Sequence, residues 1–440
     1  MRRLLQGFLN LKAANEPRRS FISAAPGGHI RTRTTRQLTC LFGDVIVPRK
    51  GYSQPGQASQ FPLDAELNLA PDQYSDGIRY RTVQEAIRGS YDNAVEAIGK
   101  THVPKCQALN LVQDVSQDFE AYYRQERFST PEDTQGLLVL SFNGKGIVMR
   151  TEGLRACTRK AAQKSKKLNS RLSPGEKKDR KRMAQVATVY TMLPHRRTAA
   201  DIMNRPEDND TVSPFRAKPR HKRVWASVER EAECIIEEAF AEALQRDPEQ
   251  RRRWVVVVDG LPHQLRLIDR VMKRLHIKAT VLMDFVHVLE YLWKAAWCFF
   301  EPGDDAVEDW IAERAIKILN GHCSQVAKGI RHSATCRNIE ARANVDKCAG
   351  YLLKNKQRLQ YGEALSAGLP IASGVIEGAC RHLINDRLDI TGARWSLQGA
   401  EAVLKLRSLK SSGDLDTYWV FHKKQSKRRF YGNMNVDMAC

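Results

Sequence analysis

One run of the sequence places an acidic side chain directly after a segment suited to burial. Residues 252–260 read RRWVVVVDG, so a tryptophan and four valines precede Asp259 and Gly260. Such β-branched runs favour a strand covered on both faces, and open α/β sheets bind ligands at the carboxyl ends of their strands. Asp259 is therefore a candidate catalytic acid, although an Asp-Gly pair is also a common turn signal.

The chemistry that acids from separate elements would serve is metal-dependent phosphoryl transfer. Two Mg²⁺ ions about 4 Å apart activate the attacking oxygen and neutralise charge on the leaving oxygen. Magnesium requires hard oxygen ligands, which Asp and Glu supply. We therefore expect Mg²⁺ as the cofactor, with Mn²⁺ as a substitute.

The elements around Asp259 indicate an α/β fold. The predicted strands are Leu137–Phe142, Ile147–Arg150, 185–193, Trp254–Val258 and Lys278–Met283, and the predicted helices are 224–247 and His263–His276. The first two strands would form a hairpin around a turn at 143–146, while 195–222 would be a loop. Three strands, helix, strand, helix, strand is the order of a ribonuclease H-like mixed sheet. Its three acid positions, on the first strand, the fourth strand and a late helix, are held here by Asn143, Asp259 and Glu377.

The net charge of +21 and the isoelectric point near 9.6 favour a polyanionic partner, most commonly nucleic acid. An anionic membrane surface is the alternative, but no apolar run of about 18 residues is present. The ten cysteines form no CxxC pair, which fits a reducing cytosol. His322, Cys323, His332, Cys336 and Cys348 match no standard zinc spacing.

A basic block extends from Arg155 to Arg182. It holds twelve Lys or Arg against two acids, a local balance of 12 − 2 = +10. This density favours phosphate contacts, and a solvated surface loop is the alternative. The candidate DNA-binding residues in this block are Lys160, Lys164, Lys166, Lys167, Lys177, Lys178, Arg180, Lys181 and Arg182.

Composition and periodicity divide the chain into six segments. A loosely ordered basic arm is expected at 1–34, although MRRLLQGFLNL suits a short amphipathic helix. A hairpin with its turn at Gly43-Asp44, followed by helices over 75–128, would form an N-terminal DNA-binding region. The predicted segments are 1–34 (arm), 35–128 (N-terminal region), 136–284 (core), 285–369 (helical insertion), 370–415 (final core helix) and 416–440 (basic tail).

Several long motifs resemble the transposases of ISKra-type bacterial insertion sequences, relatives of the Mutator group. They are LLVLSFNGKGIVMR, RLSPGEKKDRKRMAQVATVY, WVVVVDG, DFVHVLEYLWKAAWCFF and GVIEGACRHLINDRLDITGARWSLQGAEAVLKLRSL. The resemblance covers about residues 35–420. It implies a recombinase with three catalytic acids (DDE) on a ribonuclease H-like fold, with a helical insertion before the last acid and an N-terminal DNA-binding region.

The resemblance also implies roles for single residues. Asp259 would be the second acid and Glu377 the third, with Glu401 a weaker candidate. Asp284-Phe-Val-His287 looks like the D-x-x-H element of the Mutator group. There His287 would orient a phosphate or the acids, unless it only packs within its helix. Arg381 and Arg394 could contact phosphate, or could pair with Asp386 or Asp389.

The first acid position departs from the family pattern, because Asn143 stands where the family has Asp. An amide oxygen can touch a metal but lacks the charge that bridges two ions, so we expect metal binding and catalysis to be severely weakened. The start of the chain also looks shortened relative to the family, which favours a decaying copy. The expected partners are double-stranded DNA, at element ends and target sites, and a second copy of the chain, in a bacterial cytoplasm associated with the nucleoid.

Overall fold

The computed structural model describes residues 1–18, 28–99, 103–126, 136–164, 180–203, 217–390 and 392–432. The chain forms two compact units. The first comprises Met1–Arg127 together with Trp395–Cys440, and the second comprises Phe128–Arg394. The final segment of the chain therefore belongs to the same unit as the N-terminal region.

The first unit opens with a helix, α1 (Arg2–Ala14), that packs through Leu9 on a two-stranded antiparallel sheet. The short helix expected at MRRLLQGFLNL is thus present within the segment 1–34 and extends to Ala14. The sheet consists of β1 (His29–Cys40) and β2 (Gly43–Ser53), which confirms the predicted hairpin.

The turn of this hairpin lies two residues earlier than predicted. Cys40 pairs with Gly43, so the turn is Leu41-Phe42 and not Gly43-Asp44. Asp44 is already part of β2, where its Oδ1 accepts a 2.8 Å hydrogen bond from Thr39 Oγ1 across the hairpin. The position of the turn thus follows from pairing between the two strands, which the residues of the predicted turn did not show.

Helices complete the N-terminal part of the first unit, as the periodicity over 75–128 predicted. They are α2 (Pro62–Glu66), α3 (Asp76–Arg88), α4 (Tyr91–Ile98), α5 (Lys105–Ser116) and α6 (Phe119–Gln125).

The second unit is built on a mixed sheet of five strands in the order β5-β4-β3-β6-β7. The strands are β3 (Leu137–Val148), β4 (Lys181–Met192), β5 (Arg220–Ser227), β6 (Trp254–Val258) and β7 (Ala279–Met283). β4 runs antiparallel to both of its neighbours, while β3, β6 and β7 are parallel. Every residue of β6 is buried, as the valine run predicted.

The predicted hairpin around 143–146 is wrong, because β3 continues unbroken to Val148. It pairs with β4 along its whole length, from Leu137 opposite Met192 to Val148 opposite Lys181. Gly144 and Gly146 make room for side chains of that partner. A Cβ at Gly146 would lie 2.8 Å from Lys181 Cδ, and one at Gly144 would lie 3.2 Å from Met183 Cε.

The predicted helix 224–247 begins too early, and the predicted loop 195–222 ends too late. Residues 220–227 are β5, which pairs with β4, and the helix α9 starts only at Ala232. Arg223 on β5 bonds to Glu238 and Glu242 on α9, so an ion-pair cluster joins the two elements. Neither the pairing nor the cluster is visible in local sequence.

Helices cover the sheet and fill the segment after β7. They are α7 (Ala156–Lys164), α8 (Ala199–Met203), α9 (Ala232–Arg246), α10 (Pro262–Arg274), α11 (Phe285–Ala296), α12 (Ala306–Leu319), α13 (Cys323–Cys336), α14 (Ala343–Lys354), α15 (Tyr361–Ser366), α16 (Gly374–Cys380) and α17 (Asp386–Leu388). A wider π-helical turn, Arg381–Asn385, joins the last two. The helical run predicted over 370–407 is therefore interrupted after Leu388.

The C-terminal part of the chain returns to the first unit as α18 (Leu397–Ser412) and α19 (Leu415–Tyr431). Tyr418 and Phe421 of α19 are buried, so much of the predicted basic tail is a packed helix. In the part of the chain that the structure describes, no helix combines the length and apolar character needed to cross a membrane.

Candidate active site

Three polar residues form a row across the parallel strands β3, β6 and β7 of the five-stranded sheet. Phe142 of β3 pairs with Val258 of β6, and Val258 pairs with Met283 of β7. Asn143, Asp259 and Asp284 each directly follow one of these residues. Because adjacent strands lie about 4.8 Å apart, the register brings the three residues side by side.

Asp259 is held by a histidine from the helix that follows β7. Nε2 of His287 on α11 lies 3.1 Å from Asp259 Oδ1, and its Nδ1 lies 3.5 Å from Glu290 Oε2. The contact with Asp259, aided by the charges of Glu290 and Asp284, raises the pKa of His287 to about 9 against the effect of burial. At neutral pH His287 is therefore protonated and forms an ion pair with Asp259, the second candidate acid.

Asp284 has a structural position that the sequence did not reveal. It is fully buried and caps α11, because its Oδ1 accepts a 2.8 Å hydrogen bond from Val286 N. Its Oδ2 accepts a 2.9 Å bond from Ser373 N and a second bond from Ser373 Oγ. One carboxylate thus ties the end of β7 and the start of α11 to the residue before α16.

Glu377 belongs to the same electrostatic cluster. It lies in the first turn of α16, which packs against β3 and β4, and its amide donates a 3.2 Å hydrogen bond to Ser373 O. Burial raises the pKa of Glu377, and the negative charges of Asp284, Asp259 and Glu290 add to the shift while His287 opposes it. The site therefore gathers the predicted second and third acids. The weaker candidate, Glu401, is buried in α18 of the first unit.

Asn143 stands in the row as a half-buried amide. Its Oδ1 accepts a 2.6 Å hydrogen bond from the backbone amide of Gly144. The atom that could touch a metal is thus already engaged, and it carries no charge.

These donors do not fit a pair of magnesium ions as they stand. Among the described residues, no group of three or more His, Cys, Asp and Glu side chains is arranged to hold a metal. Asp259 in the row and Glu377 on α16 are two separate carboxylates. The third, Asp284, accepts hydrogen bonds from two backbone amides and from the Ser373 hydroxyl. The same finding gives no support to a zinc site among the cysteines and histidines of 322–348.

Two tyrosines that the sequence did not single out form one wall of the site. Tyr351 on α14 donates a 3.4 Å hydrogen bond to the Asp259 carbonyl and stacks on Tyr291 with 4.1 Å between ring centroids. Gly260 next to them has a φ of +88°, and a Cβ there would meet Met283 Cε at 1.9 Å. The Asp-Gly pair thus turns the chain at the strand end, as the turn interpretation predicted, and Asp259 faces His287.

The predicted DNA-binding residues are only partly described. Lys160 and Lys164 are exposed on α7, whereas Lys166, Lys167, Lys177 and Lys178 lie outside the described residues. Arg180, just before β4, and Lys181, its first residue, are half-buried, and Lys181 lies 3.7 Å from Asp389.

The remaining arginines differ in their contacts. Arg182 donates to the carbonyls of Gly153, Val228 and Glu229, so it stabilises backbone. Arg381 is exposed and lies 3.7 Å from Asp386, the ion pair that the sequence offered as an alternative to phosphate contact. Arg394 is exposed at the end of the second unit.

The ion pair of His287 predicts a pH-dependent stability. Because the folded pKa of about 9 exceeds the unfolded value near 6.5, its stabilisation is complete below about pH 6.5 and is lost as the pH rises through 9. Allowing for partial exposure, the loss should be about 1–2 kcal/mol. Urea unfolding of the chain between pH 6 and 10 measures it.

Two variants make this measurement specific. His287→Gln should remove the pH-dependent component, because it removes the imidazole whose pKa of about 9 produces it. His263→Gln, at an exposed position on α10, should leave it unchanged. Equal pH profiles for His287→Gln and the unchanged chain would show that the ion pair contributes nothing.

The chain matches no protein-family model, and no curated protein is significantly similar to it.

Proposed function

We propose that this chain is a DDE-type DNA transposase, related to those of ISKra-type insertion sequences, whose cutting and joining of DNA is weakened by Asn143. One observation carries the proposal. The register of the sheet places Asn143 beside Asp259, and Glu377 is electrostatically coupled to Asp259. Those are the three acid positions expected from the sequence.

The topology of the sheet supports the same assignment. A ribonuclease H-like sheet has three antiparallel strands followed by two parallel ones, with the first strand at its centre. The order β5-β4-β3-β6-β7 and the strand directions have this form, with β3 first and β6 fourth. The first acid position, within β3, would then lie beside the second, at the end of β6.

The helices between β7 and α16 support the proposed relationship further. Helices α11 to α15 occupy residues 285–366, between the second acid and the third. A helical insertion at this place is what the family resemblance implies. Its first helix supplies His287, and α14 supplies Tyr351, so the insertion also contributes to the site itself.

The chemistry of the chain as it stands follows from its donors. In a complete site, bound Mg²⁺ would activate an oxygen nucleophile and stabilise the leaving oxygen. Here Asp259 is paired with His287, Glu377 is exposed, and Asn143 brings no charge. We infer that these residues mark the position of a catalytic site in which Asn143 stands where a charged ligand is needed.

A second candidate function follows from Asn143 alone. A chain that binds element ends without cutting them would occupy the sites of an active transposase and repress it. The engaged amide oxygen of Asn143 favours this function over efficient catalysis. The high positive charge suits DNA binding in both cases.

Selection of bound duplexes from a random DNA pool tests the DNA-binding part of the proposal, and it does not require the sequence of the element ends. We expect a common sequence motif and an affinity that falls steeply with salt, because bound phosphates release counterions. Enrichment of no motif, or a preference for RNA of any sequence, would contradict the proposal.

Exposed lysines of α7 provide a specific variant for the same assay. The double variant Lys160→Ala with Lys164→Ala should weaken binding to all duplexes alike and lower the salt slope by about 2. The matched control replaces Lys328 and Lys354, which are exposed on α13 and α14. If both pairs change the slope equally, α7 makes no phosphate contacts of its own.

A further inference from the structure

The first unit contains an open cavity of about 680 Å³ that the proposed function does not use. Its volume falls within the range of roughly 300–1,000 Å³ typical of small-molecule sites. Its wall comes from the β1–β2 hairpin, the segments 57–61 and 71–73, and the end of α19. Residues important to its chemistry are Arg36, Arg49, Phe61, Asp64, Phe430 and Tyr431.

Two arginines share one buried carboxylate in this wall. Arg36 lies 3.0 Å from Asp64 Oδ2, and Arg49 bonds to the same oxygen. Asp72, the other acid of the wall, is paired with Arg79, which does not line the cavity. Arg79 is shared with Asp114, so the two arginines and two acids of the wall balance in charge, and a ligand would be recognised by hydrogen bonds and ring contacts.

The same cluster offers an unused donor and an unused acceptor. Asp64 Oδ1 and Arg49 Nε are buried and make no hydrogen bond with the described residues. Asp64 is only 4% exposed. Buried polar atoms normally have hydrogen-bond partners. A ligand could supply them here with an N–H group that donates to Asp64 Oδ1 and a neighbouring acceptor for Arg49 Nε.

The remaining wall is aromatic and amide-rich. The Arg49 guanidinium lies 3.8 Å from the centroid of the Phe61 ring. Phe430 and Tyr431 line the cavity from α19, and Tyr431 is fixed because its hydroxyl donates to the Leu69 carbonyl. Four glutamines add donors and acceptors, namely Gln37, Gln57, Gln60 and Gln73. Such a wall suits a ligand with a flat ring that carries hydrogen-bonding groups along its edge.

We propose that this cavity binds one unstacked nucleotide of a DNA strand. The base packs against the aromatic side chains and bonds to Asp64 and Arg49. Aromatic and arginine faces bind unpaired bases in this manner in single-strand-binding proteins. That the nucleotide belongs to DNA rests on the proposed function; the fit of a nucleotide rests on the cavity alone.

Single-stranded oligonucleotides carrying 2-aminopurine test this proposal, because the fluorescence of that base rises when it unstacks. Ala58, an exposed residue of the wall, can be changed to Trp to fill the mouth without removing a hydrogen bond. Ala58→Trp and Arg49→Gln should each weaken binding about tenfold and abolish the fluorescence rise. Arg81→Gln removes the same charge from α3, outside the wall, and should change affinity less than about twofold.

The outcomes separate cleanly. If Arg49→Gln impairs folding, as judged by circular dichroism, Ala58→Trp decides alone. An unchanged fluorescence rise in Ala58→Trp would overturn the cavity as a nucleotide site. A cavity-dependent rise with no duplex motif in the random-pool selection would leave the cavity standing and remove the transposase proposal. A duplex motif together with a fluorescence rise that persists in Ala58→Trp would support the transposase proposal and reject the cavity as a nucleotide site.

Discussion

The Asn143→Asp variant is expected to cleave selected duplexes at least about 100-fold faster than the unchanged chain in Mg²⁺ or Mn²⁺. A metal stabilises several kcal/mol of transition-state charge, and each 1.36 kcal/mol corresponds to tenfold in rate. The substitution adds a charged ligand next to Asp259, within β3. It changes one atom, the amide nitrogen, so β3 should retain its pairing with β4.

Metal binding gives this prediction a readout besides cleavage. Mn²⁺ binding, followed by electron paramagnetic resonance, should strengthen at least about tenfold in Asn143→Asp, because a carboxylate replaces a neutral amide among hard oxygen ligands. At pH 7 the bound ion must also compete with the His287 cation for Asp259, so the gain should increase as the pH approaches 9.

The matched control carries Asn143→Asp together with Asp259→Asn. It has the same number of carboxylates as the unchanged chain and should bind Mn²⁺ and cut DNA no better than that chain. Equal cleavage by the unchanged chain and Asn143→Asp would place the first acid elsewhere. No cleavage and no gain in Mn²⁺ affinity in Asn143→Asp would reject the metal site at this sheet edge.

The second large effect should come from Asp284→Ala, which we expect to destabilise the second unit by about 3 kcal/mol. The change leaves the amides of Val286 and Ser373 and the Ser373 hydroxyl without their acceptor in a fully buried position. Each unsatisfied buried donor costs about 1–3 kcal/mol. Urea unfolding measures the loss, and the melting temperature should fall by about 6–12 °C.

Asp304→Ala is the matched control for this loss. Asp304 also accepts a hydrogen bond from a helix amide, that of Ala306 at 3.0 Å, but it is exposed. Its replacement should cost no more than about 1 kcal/mol. Equal losses for the two variants would mean that Asp284 is an ordinary helix cap and does not join β7, α11 and α16. Lost Mn²⁺ affinity in a folded Asp284→Ala, Asn143→Asp double variant would show that this joint positions Glu377.

Local sequence was sufficient where one element is defined by its own residues. The WVVVV run marks β6 because its side chains suit burial on both faces, and the residue after it had to lie at a strand end. The helix predicted at His263–His276 and the strand predicted at Lys278–Met283 were found, with small shifts, at Pro262–Arg274 and Ala279–Met283. Asp259 could be selected as a candidate acid in this way, whereas Glu377 was selected through the late-helix position that the family resemblance implies, and the charge of Asp259 acts on Glu377 in the structure.

Tertiary structure decided what depends on partners distant in sequence. Gly144 and Gly146 suggested a turn, but pairing with β4 keeps β3 straight, and the two glycines make room for side chains of that strand. β5 forms because β4 offers an edge for it. Asp284 connects β7 and α11 to α16 only because Ser373, 89 residues later in the chain, lies close enough to donate a hydrogen bond to it. Hydrogen bonds and register between distant segments leave no local pattern, so the sequence by itself determined the candidate acids while the sheet determined which of them meet.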